Sequence, residues 1–207
     1  MKLGLPCLLV MPVLLGSLAH LTGAENPAKE ATYYPLTVGT KWVYKTSTAG
    51  NTNRVVIRVV KEEKVGDVLC FRLEAASGDG EKPVTEHVAK RADGMYRYTA
   101  LGEKISPPLR VLKLPPRVGD SWEIDSKIAG VQVKGTFTIG EAEVSVPRGK
   151  YKAITAQTKD MTLAGEKMEQ TLWFARDVGM VKQVIKKVVK AEEQETVLEL
   201  EEFESPK

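Results

Sequence analysis

The stretch Val131-Gln132-Val133-Lys134-Gly135-Thr136-Phe137-Thr138-Ile139 decides the fold of this chain. Successive side chains of a β-strand point to opposite faces of its sheet. One face of this stretch therefore carries the apolar side chains of Val131, Val133, Phe137 and Ile139, and the other carries polar ones. The alternation predicts an antiparallel strand that has one face in a core and the other in water.

Similar segments recur along the chain and are separated by turn signals rich in glycine, asparagine and aspartate. The segments are residues 41–46, 54–60, 68–75, 96–101, 109–114, 122–128, 151–158, 171–175 and 196–203. The turn signals are residues 49–51, 65–67, 77–80, 92–94, 147–149 and 177–179. Roughly ten to twelve strands joined by short turns predict an all-β antiparallel meander. Helix and strand patterns do not alternate, which argues against a doubly wound fold.

Residues 181–190 fit two periodicities. Their apolar side chains fall at helical spacing with lysines opposite, so an amphipathic helix is one interpretation. We predict a strand instead, because these apolar side chains are all β-branched and a Val178-Gly179 turn precedes them. The lysines would then protect the edge of a sheet from pairing with another chain.

Residues 1–24 have the pattern of a secretory signal peptide. Lys2 precedes an apolar run at 3–15, and small residues follow at 16–19 and 22–24. Such a run is too short to span a bilayer, which takes about 20 apolar residues. An uncleaved anchor is the alternative. We predict an exported chain, periplasmic or extracellular, that begins with a linker at 25–34 and contains no integral membrane segment.

The charge of the predicted mature chain does not indicate a partner. The whole chain has 30 lysines and arginines against 27 aspartates and glutamates, and removal of residues 1–24 takes away only Lys2. This balance differs from that of proteins dedicated to nucleic acid or to anionic membranes. We therefore predict that nucleic acid is not a partner.

Cys70 is the single cysteine beyond the predicted signal peptide, since Cys7 lies within it. An internal disulfide cannot form, so the exported protein depends on its core for stability. The apolar neighbours Leu69 and Phe71 favour a buried, unreactive thiol. A reactive or intermolecular thiol is the alternative, because Arg72 lies close by.

The chain contains an internal similarity at an offset of about 80 residues. Residues 35–42 (PLTVGTKW) and 115–122 (PPRVGDSW) share proline, valine, glycine and tryptophan. The glycine can adopt a positive φ angle where the chain enters a strand, and the tryptophan then covers a large area of core. We infer two related units, 35–114 and 115–203, packed as one body. Chance recurrence of turn chemistry is the alternative.

Three stretches resemble uncharacterised exported proteins of bacterial envelopes, which belong to families of unknown function. These stretches are 33–44 (YYPLTVGTKWVY), 146–151 (VPRGKY) and 173–182 (WFARDVGMVK). The resemblance spans most of the predicted mature chain and consists of turn and aromatic strand residues. It implies a strongly curved or barrel-like antiparallel sheet, similar in outline to carriers that hold lipids in a half-barrel. It assigns no catalytic residue to this chain.

The sequence contains no recognisable catalytic, cofactor or metal motif. His87 is the single histidine beyond the predicted signal peptide, and a solvated position on a strand explains it. Residues 77–81 lack the alternating ligands of a calcium loop, and a hairpin turn accounts for them. The pairs Glu192-Glu193 and Glu201-Glu202 would point to opposite faces of a strand, which does not suit glycoside chemistry. We predict no catalytic, cofactor-binding or metal residue, and an enzyme is the least favoured class.

The favoured function is that of a non-catalytic binding protein of the periplasm or cell surface. Residues 54–60 carry apolar side chains on both faces, and a curved sheet of this kind could hold an apolar ligand on its concave face. The alternative is an interaction or scaffolding module that offers a sheet edge, rimmed by residues 181–190, to an envelope protein. A structure without an internal cavity would favour this alternative.

Overall fold

The computed structural model describes residues 32–78, 81–189 and 192–206, and these residues form a single closed barrel of twelve strands. The strands are β1 (Lys41–Thr48), β2 (Asn51–Val65), β3 (Val68–Ala76), β4 (Val84–Arg91), β5 (Gly94–Ala100), β6 (Glu103–Lys113), β7 (Ser121–Ile128), β8 (Val131–Val146), β9 (Gly149–Leu163), β10 (Glu166–Ala175), β11 (Gly179–Val189) and β12 (Glu192–Glu204). In this part of the chain no helix is long and apolar enough to cross a bilayer.

Each strand pairs antiparallel with its neighbours in sequence, and β1 closes the barrel by pairing with β12. The predicted all-β antiparallel class is therefore confirmed, and the curved sheet is a closed barrel. Residues 179–189 form strand β11 between β10 and β12, which confirms the strand prediction for this segment. Strand β4 was missing from the predicted segments, because its apolar signal is confined to Val84, Val88 and Ala89.

The N-terminal segment and the β8–β9 turn cover one end of the barrel. At one end, here called the Trp42 end, Asp177 N donates to Thr32 O at 2.6 Å, which holds the N-terminal segment across the β10–β11 turn. At the same end, Arg148 N in the β8–β9 turn donates to Leu200 O of β12 at 3.0 Å. The opposite end, here called the Leu101 end, carries the β5–β6 turn. The N-terminal segment and the β8–β9 turn therefore lie across the mouth of the barrel at the Trp42 end.

The core lies inside the barrel and receives buried side chains from all twelve strands. Val133, Phe137 and Ile139 are buried as their alternation predicts, whereas Val131, at the beginning of β8, is 39% exposed. Full burial of one large apolar side chain contributes about 1.5–3 kcal/mol. A core shared by every strand favours cooperative folding of the described residues as one unit.

The seam between β6 and β7 has the fewest paired residues in the barrel. Only Ile105 with Ile128 and Ser106 with Lys127 are in register among the described residues. Pro107 and Pro108 follow at once in β6, and proline has no backbone N–H to donate to a neighbouring strand. Farther along this seam, Trp122 Nε1 donates to Arg110 O at 3.0 Å. A side chain therefore joins the two strands where the backbones do not.

The two Val-Gly-x-x-Trp segments make the same local structure. Gly39 and Gly119 have φ angles of 95° and 87°, which confirms the predicted positive φ. Gly39 N donates to Val59 O at 2.8 Å, and Gly119 N donates to Ile139 O at 2.9 Å. The tryptophan three residues later is buried in both segments. The similarity of these two turns is consistent with a repeat, but the division into units 35–114 and 115–203 stays a prediction.

We expect Gly119→Ala to destabilise the protein by about 1–2 kcal/mol, because an L-residue is strained at this positive φ. No atom would lie within 4 Å of the added Cβ, so the loss of stability would come from backbone strain alone. At Gly39 an added Cβ would also come within 3.0 Å of Pro206 Cγ, and the loss should be larger. Urea unfolding of the two variants measures this difference. Equal stability of both variants and the native protein would contradict the role given to these turns.

The predicted signal peptide (1–24) lies outside the described residues and stays a prediction. Of the predicted linker (25–34), only residues 32–34 are described. Tyr34 packs against Trp42 and Phe174, with ring centroids 6.0 and 6.1 Å away. The end of this segment is therefore part of the barrel core.

Candidate functional site

The barrel encloses two cavities of about 280 and 160 Å³. A single water needs only about 10–15 Å³ on the same measure, so both cavities are larger than solvent-sized voids. Arg97, Val111, Leu172 and Gln183 line both of them. The two cavities are thus neighbouring lobes of one lumen, here called the large lobe and the small lobe.

Aromatic side chains form the floor of the large lobe at the Trp42 end. Tyr34, Trp42 and Phe174 line the lobe, and Phe203 lies behind Trp42 with a centroid separation of 6.0 Å. Trp42 Nε1 donates to Val178 O at 2.7 Å, which satisfies its polar atom within the floor. The floor is therefore fixed by ring packing and by a directed hydrogen bond.

The large lobe extends toward exposed apolar side chains at the Leu101 end. Val84 and Leu101 line it, and they are 47% and 75% exposed. Gly102 N donates to Thr85 O at 2.8 Å, so the β5–β6 turn is held beside the beginning of β4. Exposed apolar groups at the rim of an apolar cavity commonly mark a ligand-binding groove.

Among the described residues, Glu86 and Arg97 are the charged side chains that line the lumen. Arg97 Nε lies 2.8 Å from Glu86 Oε2, but its N–H has no acceptor in good hydrogen-bond geometry. A bulge between β4 and β5 lies beside Arg97, because His87 pairs with Thr99 and Val88 pairs with Arg97. Bulges often direct side chains at functional sites, and here Arg97 lies inside the barrel.

Two tyrosines of the large lobe are neutral over the ordinary pH range. Burial, reinforced by the negative charge of Glu86, raises the pKa of Tyr34 well above its usual value. Burial also raises the pKa of Tyr44, whose hydroxyl donates to Met180 O at 2.8 Å. The Tyr34 hydroxyl therefore stays protonated in the lumen and can serve as a hydrogen-bond donor.

Sequence reasoning did not single out Glu86 or Arg97. The available signal for Glu86 is its position between Val84 and Val88 on one face of β4, where a charged side chain interrupts an apolar row. Arg97 offers a weaker signal, because the alternation of β5 is broken by the bulge. Of the apolar residues noted on 54–60, Ile57 lines the large lobe and Val59 belongs to the core.

Cys70 lies in a separate cluster on the outer face of β3, β4 and β5. It is fully buried with Ala89, Tyr96 and Tyr98, which confirms the predicted burial of the thiol. Burial raises the pKa of the Cys70 thiol above its usual value. The thiolate, which is the reactive form of cysteine, is thereby disfavoured.

His87 also lies on the outer face, and its predicted solvated position is wrong. Its side chain is 15% exposed, with Nε2 at 2.8 Å from Glu63 Oε1 and Nδ1 at 2.7 Å from Thr99 Oγ1. The order carboxylate, imidazole, hydroxyl matches that of a hydrolase triad. Thr99 is buried, however, and none of the three residues lines the lumen. The arrangement is best explained as a hydrogen-bonded link between β2, β4 and β5.

We expect this link to make stability depend on pH under acid conditions. Hydrogen bonds from Lys61 and then from His87 lower the pKa of Glu63 from 4.5 to about 2. A lowered carboxyl pKa stabilises the fold above pH 4.5, and that contribution disappears as the pH falls toward 2. Glu63→Gln should therefore flatten the acid side of a profile of urea midpoint against pH.

The adjacent Glu62→Gln is the matched control, because Glu62 is exposed and makes no ion pair with a described residue. A Glu63→Gln profile that overlays the native one between pH 4.5 and 2 would contradict the assignment.

The remaining sequence candidates do not converge on a site. Residues 77–81 lie partly outside the described residues. Arg54 forms ion pairs with both Glu201 and Glu202, so the prediction that this pair points to opposite faces is wrong. A bulge at Glu201 brings both side chains to the outer surface of β12. Over residues 32–78, 81–189 and 192–206, no three His, Cys, Asp or Glu side chains form a group that could hold a metal ion.

The fold and the lumen define a class, an up-and-down antiparallel barrel with an internal cavity. No protein-family model matches the chain, and no curated protein is significantly similar to it in sequence.

Two solved structures are similar in fold. A lipoprotein candidate from Parabacteroides distasonis gives a TM-score of 0.52 at 13% identity, over 84% of this chain and 99% of that chain. An exported-protein candidate with a YmcC-like fold from Bacteroides fragilis gives a TM-score of 0.51 at 14% identity, over 84% of this chain and 100% of that chain. Identities this low establish a common fold only.

Proposed function

We propose that this protein is an exported, non-catalytic protein of the cell envelope that binds an apolar small molecule in the barrel lumen. The observation that carries the proposal is the two-lobed lumen, whose walls are predominantly apolar and whose larger lobe measures about 280 Å³. Small-molecule sites are typically concave, mostly apolar, and lined by a few polar groups that orient the ligand. Glu86, Arg97, Gln170 and Gln183 fit that description.

The proposed location in the periplasm or outside the cell is supported by a sequence prediction and by two structural comparisons. The predicted signal peptide at residues 1–24 directs export. The two proteins of similar fold are described as a lipoprotein candidate and an exported-protein candidate. Fractionation of the host distinguishes the periplasm from the medium.

The alternative function, an interaction module that offers a sheet edge, loses its structural basis. Strand β11 is paired on both sides, and the barrel closes between β1 and β12. The lysine-rich segment is therefore part of the wall of the barrel.

Native mass spectrometry of the mature protein, purified from the envelope of its own host, tests the proposal. We expect a reproducible bound mass that is released by organic extraction. A mass equal to that of the bare chain, obtained on gently handled material, would overturn the proposal and direct attention to crosslinking for a protein partner.

A pair of variants assigns any bound molecule to the lumen. Ala75 lines the large lobe, and the next residue, Ala76, points to the opposite face of β3. Ala75→Phe should fill part of the lobe and abolish the bound mass. Ala76→Phe adds the same side chain outside the barrel and should retain it. Retention of the bound mass by both variants would place the ligand elsewhere.

A further inference from the structure

We propose that the lumen binds a long-chain carboxylic acid, with the carboxylate on Arg97 and the hydrocarbon chain in an adjoining apolar lobe. This inference rests on the proposed function and specifies the class of its ligand. Three features of the lumen support it: the free donors of Arg97, the amides on the opposite wall, and the charge balance between Arg97 and Glu86.

Several N–H donors of Arg97 have no hydrogen-bond partner among the described residues. A guanidinium carries five N–H groups in a planar fork that matches a carboxylate. In the described part of the chain, the close approach of Nε to Glu86 is the only ion pair of Arg97, and neither terminal nitrogen has a hydrogen-bond partner. The Nε–H itself is buried without a well-oriented acceptor. Unsatisfied buried donors are costly, and a bound acceptor would remove that cost.

Side chains from the opposite wall supply further donors. Gln183 of β11 lines both lobes beside Arg97, and Gln170 of β10 lines the small lobe. Neither amide makes a hydrogen bond to another described residue. The guanidinium and one amide at the junction of the lobes, with the second amide in the small lobe, suit an anionic, hydrogen-bond-accepting head group.

The apolar surroundings of Arg97 indicate what is attached to that head group. Val111 and Leu172 flank it in both lobes, Ile57 and Phe174 line the large lobe, and Met161 lines the small one. An unbranched hydrocarbon chain can follow such a lumen and bury its surface, at about 0.8 kcal/mol per buried CH₂ group. The exposed rim at Val84 and Leu101 provides apolar contacts on the way in.

Glu86 provides a second test of the hypothesis, because its negative charge disfavours binding of an anionic ligand. Glu86 balances the charge of Arg97, which avoids an unpaired charge in an apolar space. When the ligand carboxylate is present, the two carboxyl groups compete for one guanidinium. Glu86→Gln should therefore strengthen binding of the acid, whereas Arg97→Gln should weaken it.

The experiment is a fluorescence titration with a conjugated polyene fatty acid and with its methyl ester, which has the same chain but no charge. We expect the native protein to bind the acid more tightly than the ester. Arg97→Gln should lose about tenfold to a hundredfold in affinity for the acid and little for the ester. Glu86→Gln should gain affinity for the acid alone. The double variant, which leaves no unpaired charge, should bind acid and ester equally.

Arg58→Gln is the matched control, because Arg58 is exposed and points away from the lumen on β2. Circular dichroism confirms that each variant is folded, and Glu86→Gln keeps the hypothesis testable if Arg97→Gln does not fold. Equal binding of acid and ester by the native protein would overturn the head-group assignment and retain the lumen as an apolar site. Absence of binding of both probes would instead overturn the proposed function.

Discussion

Trp42→Ala is expected to lower the free energy of unfolding by about 3–5 kcal/mol. The indole is 3% exposed and packs between Tyr34 and Phe203, with centroid distances of 6.0 Å to each ring. Its removal leaves a cavity in the floor of the lumen and frees the carbonyl of Val178. Typical domains have a stability of about 5–15 kcal/mol, so the loss would be a large part of the total.

Urea unfolding followed by circular dichroism measures this loss without relying on the removed fluorophore. Trp42→Phe separates the two contributions, because it keeps most of the apolar contact and removes the hydrogen bond to Val178. The loss of unfolding free energy in Trp42→Phe should be smaller than that in Trp42→Ala. Val118→Ala, at a side chain 64% exposed, is the control for a surface truncation and should change stability by less than about 0.5 kcal/mol. A Trp42→Ala variant as stable as Val118→Ala would refute the core assignment.

Trp122→Ala is expected to have a comparable effect on stability and a distinct effect on the β6–β7 seam. Trp122 stacks on Phe137 at a centroid distance of 5.4 Å and is 7% exposed, so truncation should also cost about 3–5 kcal/mol. Its indole N–H donates to the carbonyl of Arg110 and so links β7 to β6 where the two backbones are not paired. Loss of the indole should therefore loosen the seam more than any other pair of strands.

Amide hydrogen exchange under native conditions distinguishes this local effect from general destabilisation. In Trp122→Phe, which keeps the ring stack and loses the hydrogen bond to Arg110, exchange should accelerate in β7 and in the second half of β6. The pairing of β1 with β12 lies on the other side of the barrel and provides an internal control. Uniform acceleration across all strands would show that the indole does not hold the seam.

The sequence predicted the strands because their patterns are local. Alternation in 131–139 places side chains on two faces whatever the partner strand is, and Gly39 and Gly119 adopt positive φ because of the turns that they form. The strand predicted at 181–190 from its β-branched residues is β11. The apolar neighbours of Cys70 correctly indicated its burial. Strand β4 was missed, since five of its eight residues are polar or charged.

Local patterns also contain little information about the surroundings of a polar side chain. His87 was expected in solvent, yet Glu63 and Thr99 from two other strands enclose it. Glu86 and Arg97 are eleven residues apart by number and gave no recognisable motif. Their meeting in the lumen depends on the register of β4 with β5 and on the bulge beside Arg97.

By itself, the sequence determined that the chain forms antiparallel strands, that two glycine turns lead into buried tryptophans, and that Cys70 is buried. Only the tertiary structure decided that β1 closes on β12 and that the closed sheet encloses a lumen with an ion pair inside it. The physical reason is that alternation assigns each side chain to one face of a strand. It does not determine whether the sheet closes or which volume it encloses. The number, tilt and register of the strands set the enclosed volume, and these depend on contacts between residues far apart in the chain.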